Sequence, residues 1–452
     1  MKKLLVFLLV IFFPLFLWAE DDTDNFVSNI REPKNIKKNE EPDEPAPFRL
    51  KNRTVELSIA NVSFNAANNF ITAADILRNP FYMIWNIKDI KHDPSLIYQD
   101  NIIIDLDDFF RGFKFNFNAA IKPFSFNFNR NDEWGFGLDI GHINAVGNVF
   151  ISGNVMHMEK AEGEKFGVGA AIFADVGIPV FFYYDEFKIK IRPAAYVPFI
   201  YTEPNVTYTS KDVQNGTYFE VVYDMRVYSL VNMNDDIMQG LKDNVRDIPW
   251  NNFGYDFRLC LEYPWDDDLD IGVDIVNIPI PFAAAKLNHY AQIDGTATLD
   301  TNYIDLVDLA NGKDIPEDFY DYPDNFEIKY GGYDSDGKKI YRPFTMLFYA
   351  NYRPPESERL TLIPSLGFSL NWLYPQIFAL EGGVSARFDF SNIFIPVFGI
   401  NYNDRKWKNS IDIAFNLRAF ELDFGLSTQS QSFIKSFQGA GLGVNFGIKI
   451  GW

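Results

Sequence analysis

The chain ends on Gly441-Leu442-Gly443-Val444-Asn445-Phe446-Gly447-Ile448-Lys449-Ile450-Gly451-Trp452, and this stretch decides how the rest is read. Leu442, Val444, Phe446, Ile448, Ile450 and Trp452 form an unbroken apolar row, while Gly441, Gly443, Asn445, Gly447, Lys449 and Gly451 form the other. Successive strand residues point to opposite faces, so this is a strand with one greasy face and one small, polar face. A closing strand of this kind, ending on an aromatic residue, is similar to the signal by which the barrel-assembly machinery takes its clients. In lipid such a strand must pair on both edges, because each unsatisfied backbone group costs several kcal/mol, on the order of a lost hydrogen bond in hydrocarbon. A secreted β-sandwich also has alternating strands, and the remainder of the chain separates the two readings.

At the other end, Lys2 and Lys3 precede an apolar run from Leu4 to Trp18, and Ala19 offers a small residue before Glu20. That pattern predicts a cleaved signal peptide over 1–19. The run contains Pro14 and falls short of the roughly 20 residues that a membrane-spanning helix needs. No later run of that length is apolar throughout, so a membrane crossing has to be made by strands. Aromatic residues make up 17% of the chain, an excess suited to a barrel whose rims carry aromatic girdles. The net charge of -20 argues against nucleic acid and anionic headgroups as simple electrostatic partners. Cys260 is the one cysteine, which excludes an intramolecular disulfide.

Residues 20–50 are rich in Asp, Glu, Lys, Asn and Pro and predict a disordered periplasmic lead. Residues 51–111 hold a strand-like piece at Thr54 to Phe64 and then, over 65–110, helix-compatible and turn-rich sequence that predicts a plug packed inside the barrel. From Gly112 to Trp452 a period of two dominates. Phe124, Phe126 and Phe128 alternate with Ser125, Asn127 and Asn129, and Trp134, Phe136, Leu138 and Ile140 take up the pattern after a turn. The even positions from Phe166 to Val180 are apolar, and Pro179 marks the expected end of that strand. Further outward rows run from Phe253 to Leu261, from Leu360 to Trp372 and from Leu380 to Phe390. A tight turn at Arg418-Ala419 sets Leu417 opposite Phe420 on one face. Long polar insertions at 231–250 and 300–333 are assigned to the extracellular side, and the count of alternating segments centres on fourteen. The expected fold is therefore all-β, a transmembrane antiparallel barrel of about 14 strands with an N-terminal lumenal plug.

Chemistry-bearing constellations are sparse. His92, His142, His157 and His289 share no metal-ligand spacing, no Gly-x-Ser-x-Gly elbow exists, and neither a cofactor nor an enzymatic role is expected. Asp256, Arg258 and Glu262 lie on the inward face of one strand with Cys260 among them, and suit either a charged constriction or ordinary solvated wall. Asn445 and Lys449 are the polar members of the closing strand's inward face. Its glycines predict bare wall there, with room for a plug. In Val276-Asn277-Ile278-Pro279-Ile280-Pro281-Phe282, Pro279 and Pro281 interrupt strand pairing and predict a kink in the wall or a turn. A second break of alternation is Phe181-Phe182-Tyr183-Tyr184.

The length, the non-barrel stretch ahead of the strands, the fourteen-strand count and the ending Gly441 to Trp452 together resemble the FadL-like long-chain fatty-acid transporter superfamily, its spirochaetal branch in particular. That resemblance implies a fourteen-stranded barrel with an N-terminal hatch, capture of hydrophobic molecules from outside, and release through a lateral opening. The family's hatch carries Asn-Pro-Ala, and Asn79-Pro80-Phe81 is the nearest counterpart here, with Phe in place of Ala. The expected function is uptake of hydrophobic small molecules such as long-chain fatty acids, with outer-membrane lipid and the barrel-assembly machinery as partners. A porin-like diffusion channel and a surface adhesion protein are the alternatives.

Overall fold

The computed structural model describes residues 54–68, 112–130, 134–152, 165–184, 186–202, 206–213, 216–231, 252–301, 326–357, 359–374, 377–417, 419–431 and 433–452. The expected signal peptide at 1–19, the lead at 20–50 and the plug at 65–110, with Asn79, Pro80 and Phe81, lie outside these residues except for Asn65 to Asn68.

The strands are β1 (Val55–Asn68), β2 (Gly112–Arg130), β3 (Trp134–Ser152), β4 (Lys165–Gly177), β5 (Val180–Tyr184), β6 (Phe187–Thr202), β7 (Val206–Val213), β8 (Gly216–Ser229), β9 (Gly254–Asp266) and β10 (Leu269–Pro279). They continue with β11 (Ala285–Thr301), β12 (Phe326–Ile340), β13 (Phe344–Tyr352), β14 (Leu360–Leu370), β15 (Phe378–Phe388), β16 (Phe394–Asn403), β17 (Lys406–Leu417), β18 (Phe420–Ser430) and β19 (Gly441–Gly451). A short helix α1 (Phe433–Phe437) sits between the last two. Among the described residues, fourteen antiparallel strands close a barrel in the order β1, β2, β3, β4, β6, β9, β10, β13 and β14 to β19. β5 prolongs β4 beyond Ile178-Pro179, and Pro179 still accepts a bond from Gly137 N–H at 2.7 Å.

β1 belongs to the wall, pairing with β19 on one edge and β2 on the other. Closure leaves no free edge at this seam, as hydrocarbon requires. Thr54 and Val55 donate to the carbonyl of Trp452 at 2.9 and 3.0 Å, which ties the chain's last residue to its first strand. At this terminal end the β2–β3, β5–β6, β9–β10 and β17–β18 connections take two or three residues. The tight hairpin is in place, with Leu417 opposite Phe420.

Beyond the opposite, far end, β7, β8, β11 and β12 form a sheet that prolongs one side of the barrel, β8 pairing with both β7 and β11 and β11 with β12. The insertion expected at 300–333 is thus largely strand on both flanks, with 302–325 outside the described residues.

The wall inverts the burial of a soluble protein. Its exposed large side chains include Phe64, Phe136, Val176, Phe348, Leu380, Ile411, Leu426 and Leu442, whereas Ser58, Asn116, Asp139, Asn148, Glu381 and Ser427 are buried inward. This arrangement is stable only where the outer face meets lipid. The strands β14 to β19 have 10–12 residues, the length of a tilted membrane crossing. Aromatic clusters mark both edges of the apolar band: Phe128, Trp134 and Phe136 at the terminal end, and Tyr402, Trp407 and Phe433 at the far end.

The inward glycines of β19 do not leave the bare wall that the sequence suggests. A Cβ on Gly443 would collide with Asn65 Oδ1 and Ser427 Oγ, because side chains of the neighbouring strands lean over the glycine row. Those neighbours fill the space at Gly443, whereas at Gly447 an added Cβ would meet nothing nearer than Asp423 Oδ2 at 3.4 Å.

Candidate functional site

Three zones follow one another along the lumen. Nearest the termini, Lys449 Nζ sits 2.7 Å from Glu421 Oε1 and 3.1 Å from Asp423 Oδ2, and Asn445 donates to Asp412 Oδ1 at 3.0 Å. On the other wall Glu262 accepts from Tyr349 Oη at 3.3 Å and Asn351 Nδ2 at 3.4 Å, while Arg353 pairs with Asp270. Three of the lumen candidates from the sequence, Glu262, Asn445 and Lys449, are therefore held in polar packing between strands.

The second zone is a cavity of about 160 Å³ whose lining includes Lys122, His142, Arg192, Asp256, Arg258 and Glu381. Bulges bring these groups together. At Gly141, with φ of 72°, the β3 register shifts between Ile140 and His142, so Asp139 and His142 both face inward. Asp175 on β4 accepts from Arg192 Nη2 at 2.6 Å and from Arg342 Nη1 at 2.5 Å, and lies 2.9 Å from His142 Nδ1. Arg192 Nε reaches Asp139 at 2.6 Å. Arg342, from the three-residue break between β12 and β13, also grips Asp256 through Nε at 2.8 Å and Nη2 at 2.6 Å. Its guanidinium stands 5.1 Å from the Tyr196 ring centroid. Arg258 makes its own bidentate pair with Asp274, at 2.9 and 2.5 Å.

Of the residues singled out from sequence, Asp256 and Arg258 thus line the cavity, each neutralised by a partner that sequence reasoning missed. Paired buried charges of this kind are tolerated because the partners supply what water would otherwise give. Alternation along β4 already faces Asp175 inward. Nothing in the sequence announces that Arg342, alone in Tyr341-Arg342-Pro343, reaches β9 and β4.

The third zone closes the far mouth. Ala171, Phe173, Tyr196, Tyr201, Tyr228, Ala285, Leu287, Ile340 and Leu373 form a buried apolar cluster on the inner face of the barrel. Leu373 comes from the opposite wall. The row expected to run outward from Leu360 to Trp372 stops at Leu370, where Asn371 Oδ1 accepts from Leu373 N–H at 3.0 Å and turns the chain inward. The carbonyl of Leu373 then meets Asn148 Nδ2 at 3.0 Å across the lumen. Tyr374 accepts from Asn116 Nδ2 at 2.7 Å, donates to Asp404 Oδ2 at 2.8 Å, and carries Arg405 over its ring at 4.4 Å. The lumen is therefore interrupted by this turn among the described residues.

The wall bends at Asn277, φ 54°, where the β9–β10 register slips, and the stretch with Pro279 and Pro281 then turns, Ala283 N–H donating to the Ile280 carbonyl at 2.9 Å. The height of this kink is the new fact. The 11 residues of β10, at about 3.3 Å each and tilted by about 40°, climb about 28 Å, against an apolar band about 25 Å tall. The kink sits at the far edge of the band, and Phe282, 92% exposed, projects from it. The Phe181 break is a wall feature of another kind, its ring lying over Gly135.

No family model matches the chain, and no curated protein does. Among solved structures it is similar to the Ralstonia pickettii toluene transporter TbuX, at 8% identity and a TM-score of 0.41, over 91% of this chain and 92% of that one. It is similar to a Pseudomonas aeruginosa FadL homologue at 9% identity and 0.33, over 87% and 89%. The translocator domain of the Neisseria meningitidis autotransporter NalP matches over 89% and 90% at 5% identity and 0.29. At such scores a transporter and an autotransporter domain match over equal lengths, so these likenesses decide neither family nor function, and the reading of the chain rests on its own wall and lumen.

Proposed function

We propose that this protein is an outer-membrane channel of FadL-like type that takes up hydrophobic small molecules, such as long-chain fatty acids, at its far, extracellular mouth. The observation that carries the reading is the aromatic and aliphatic cluster of the third zone, larger than the Ile395, Val397 and Ala414 cluster elsewhere inside the barrel, where it closes on Leu373. A barrel that passes only polar solutes gains nothing from an apolar collar at its mouth. Burying a leucine side chain stabilises by about 1.5–3 kcal/mol. A hydrophobic ligand that displaces Leu373 recovers the same burial, so the exchange is close to neutral and reversible. In this reading residues 1–19 direct export, the apolar rows face outer-membrane lipid, the closing strand addresses the assembly machinery, and residues 69–110 form the lumenal plug, since Asn65 to Asn68 belong to the wall strand β1.

The test is displacement of a fluorescent apolar probe from the purified full-length barrel by fatty acids of graded chain length. Displacement is expected to strengthen with chain length, and Leu373→Asp to weaken it by on the order of tenfold by placing a carboxylate in the apolar collar. A barrel that binds none of the series defeats the reading. The polar cavity of the second zone favours a second reading, a porin-like diffusion channel. Fast swelling of proteoliposomes in sugars would establish it at the expense of the first.

A further inference from the structure

The junction between the far-side sheet and the barrel wall lacks a backbone ladder. β10 and β13 pair as far as Val276 and Thr345, and β11 and β12 resume pairing at Ala285 and Ile340. Between them residues 277–284 face residues 341–344 with no ladder pair among the described residues. Proline has no N–H to donate, and Pro279, Pro281 and Pro343 lie in this interval, so the ladder cannot simply zip through it. What spans the gap is side chains. From the lipid side Tyr341 Oη donates to the Pro281 carbonyl at 3.0 Å, and within the wall Asn277 Nδ2 donates to the Pro343 carbonyl at 2.8 Å. From the lumen side Arg342 holds Asp256 and Asp175. These reach past residues 277–284 to β9 and β4, Asp256 being the ladder partner of Pro279, and as charge-assisted bonds, bidentate for Asp256, they are the strongest that residues 341–344 make there.

We propose that Arg342 is the positioning residue that keeps this junction shut, a strut from the β12–β13 break to β9 and β4 whose loss parts residues 277–284 from residues 341–344 at the far edge of the apolar band. The inference deepens the channel reading by naming the group that governs access between lumen and lipid. Arg192 cannot replace it, since Arg192 is committed to Asp139 and Asp175 and makes no bond to Asp256. A hydrophobic residue at 342 would leave two carboxylates facing the cavity without their shared cation.

Cys260 is a native reporter, because it lies on the lumen face of β9 two residues from Arg258, with its Sγ 3.4 Å from Tyr349 Oη. The full chain in liposomes is treated with a lipid-partitioning maleimide or with a charged, water-soluble one, and labelling rates are compared. Arg342→Gln and Asp256→Asn are expected to speed the lipid-phase reaction at Cys260 by on the order of tenfold, as the loss of a buried pair allows, with Arg342→Lys in between. Arg353→Gln, which breaks an ion pair at the terminal turn, is expected to leave the rate unchanged. Each variant is first checked for the heat-dependent gel shift of a folded barrel, and where Arg342→Gln fails it the conservative Asp256→Asn carries the comparison in its place. An unchanged lipid-phase rate in folded Arg342→Gln, or an equal rise with both reagents, overturns the strut. The labelling uses no transported substrate, so a barrel that binds no fatty acid and still shows strut-dependent labelling counts against the substrate class alone.

Discussion

The barrel has a low side and a tall side. From β14 to β19 the strands have 10–12 residues, and the pairings from β14–β15 through β18–β19 run without a register shift. β2 and β3 have 19 residues each, and on that side the register slips near Gly141, between Ile172 and Phe173, and between Ile275 and Ile278. The low side is frame: it spans lipid with one phase per strand. On the tall side a slip changes which side chains turn inward, as at Gly141, where His142 joins Asp139 on the lumen face beside Asp175. Regularity here marks the membrane crossing, and irregularity marks the site.

Charge redundancy follows the same division and gives the largest expected effect. On the tall side Asp175 is held by two arginines, so Arg192→Met leaves it with Arg342 and takes the arginine from Asp139 alone. On the low side Lys449 stands between Glu421 and Asp423. Lys449→Met is expected to cost about 3–5 kcal/mol, the range for removing one partner of a buried ionic group. Arg192→Met is expected to cost less, and the two are compared by urea unfolding in liposomes. If Arg192→Met proves the more damaging, the idea of a redundant tall-side network fails.

Next in size is a test of height. Val444, in the middle of β19, is 44% exposed and Phe282, at the kink, is 92% exposed. In water the more exposed site would tolerate lysine better merely for that reason, but in a membrane depth decides. Val444→Lys is expected to cost about 2–4 kcal/mol and Phe282→Lys about 0–1, the figures for the bilayer midplane and its interface. A Phe282→Lys penalty as large as that of Val444→Lys would move the kink from the edge of the apolar band into its interior.

The low side was almost wholly legible in the sequence, because period-two alternation is enforced residue by residue when one face meets lipid. Leu442 to Trp452 and the Leu417 and Phe420 pair take the faces that parity gives them. The site was legible only in part. Asp256 and Arg258 carry their inward direction in their own strand, but their functional meaning comes from Arg342 and Asp175, separated from each other by 167 positions. Parity says which face a residue takes and nothing about what crosses the lumen to meet it. The turn at Asn371 was hidden for a related reason: Trp372 continues the apolar phase of β14, and the Asx-type bond from Leu373 that ends the strand depends on the backbone already having turned.

The smallest effect tests the low side at the scale of one methyl group. Gly443 and Gly447 both face inward on β19 four residues apart, and sequence alone treats them as equivalent. Around Gly443 the space is taken by Gln429 Nε2, which donates to Asn65 Oδ1 at 2.7 Å and to Ser427 Oγ at 3.3 Å. A Cβ there lands among these atoms, 2.8 Å from Gln429 Nε2 and closer still to the other two, so Gly443→Ala must part the hydrogen bonds and is expected to cost about 1–3 kcal/mol, the range for overpacking. At Gly447 the nearest atom to an added Cβ is Asp423 Oδ2 at 3.4 Å, an ordinary contact. Neither glycine has the left-handed backbone that would demand the residue type. Gly447→Ala is therefore expected to be neutral or to stabilise by about 0.4–1 kcal/mol through the lost freedom of the unfolded chain. Unfolding midpoints of the two variants decide the matter. Equal losses would mean that β19 needs glycine for assembly itself and not for the packing of its neighbours over the seam.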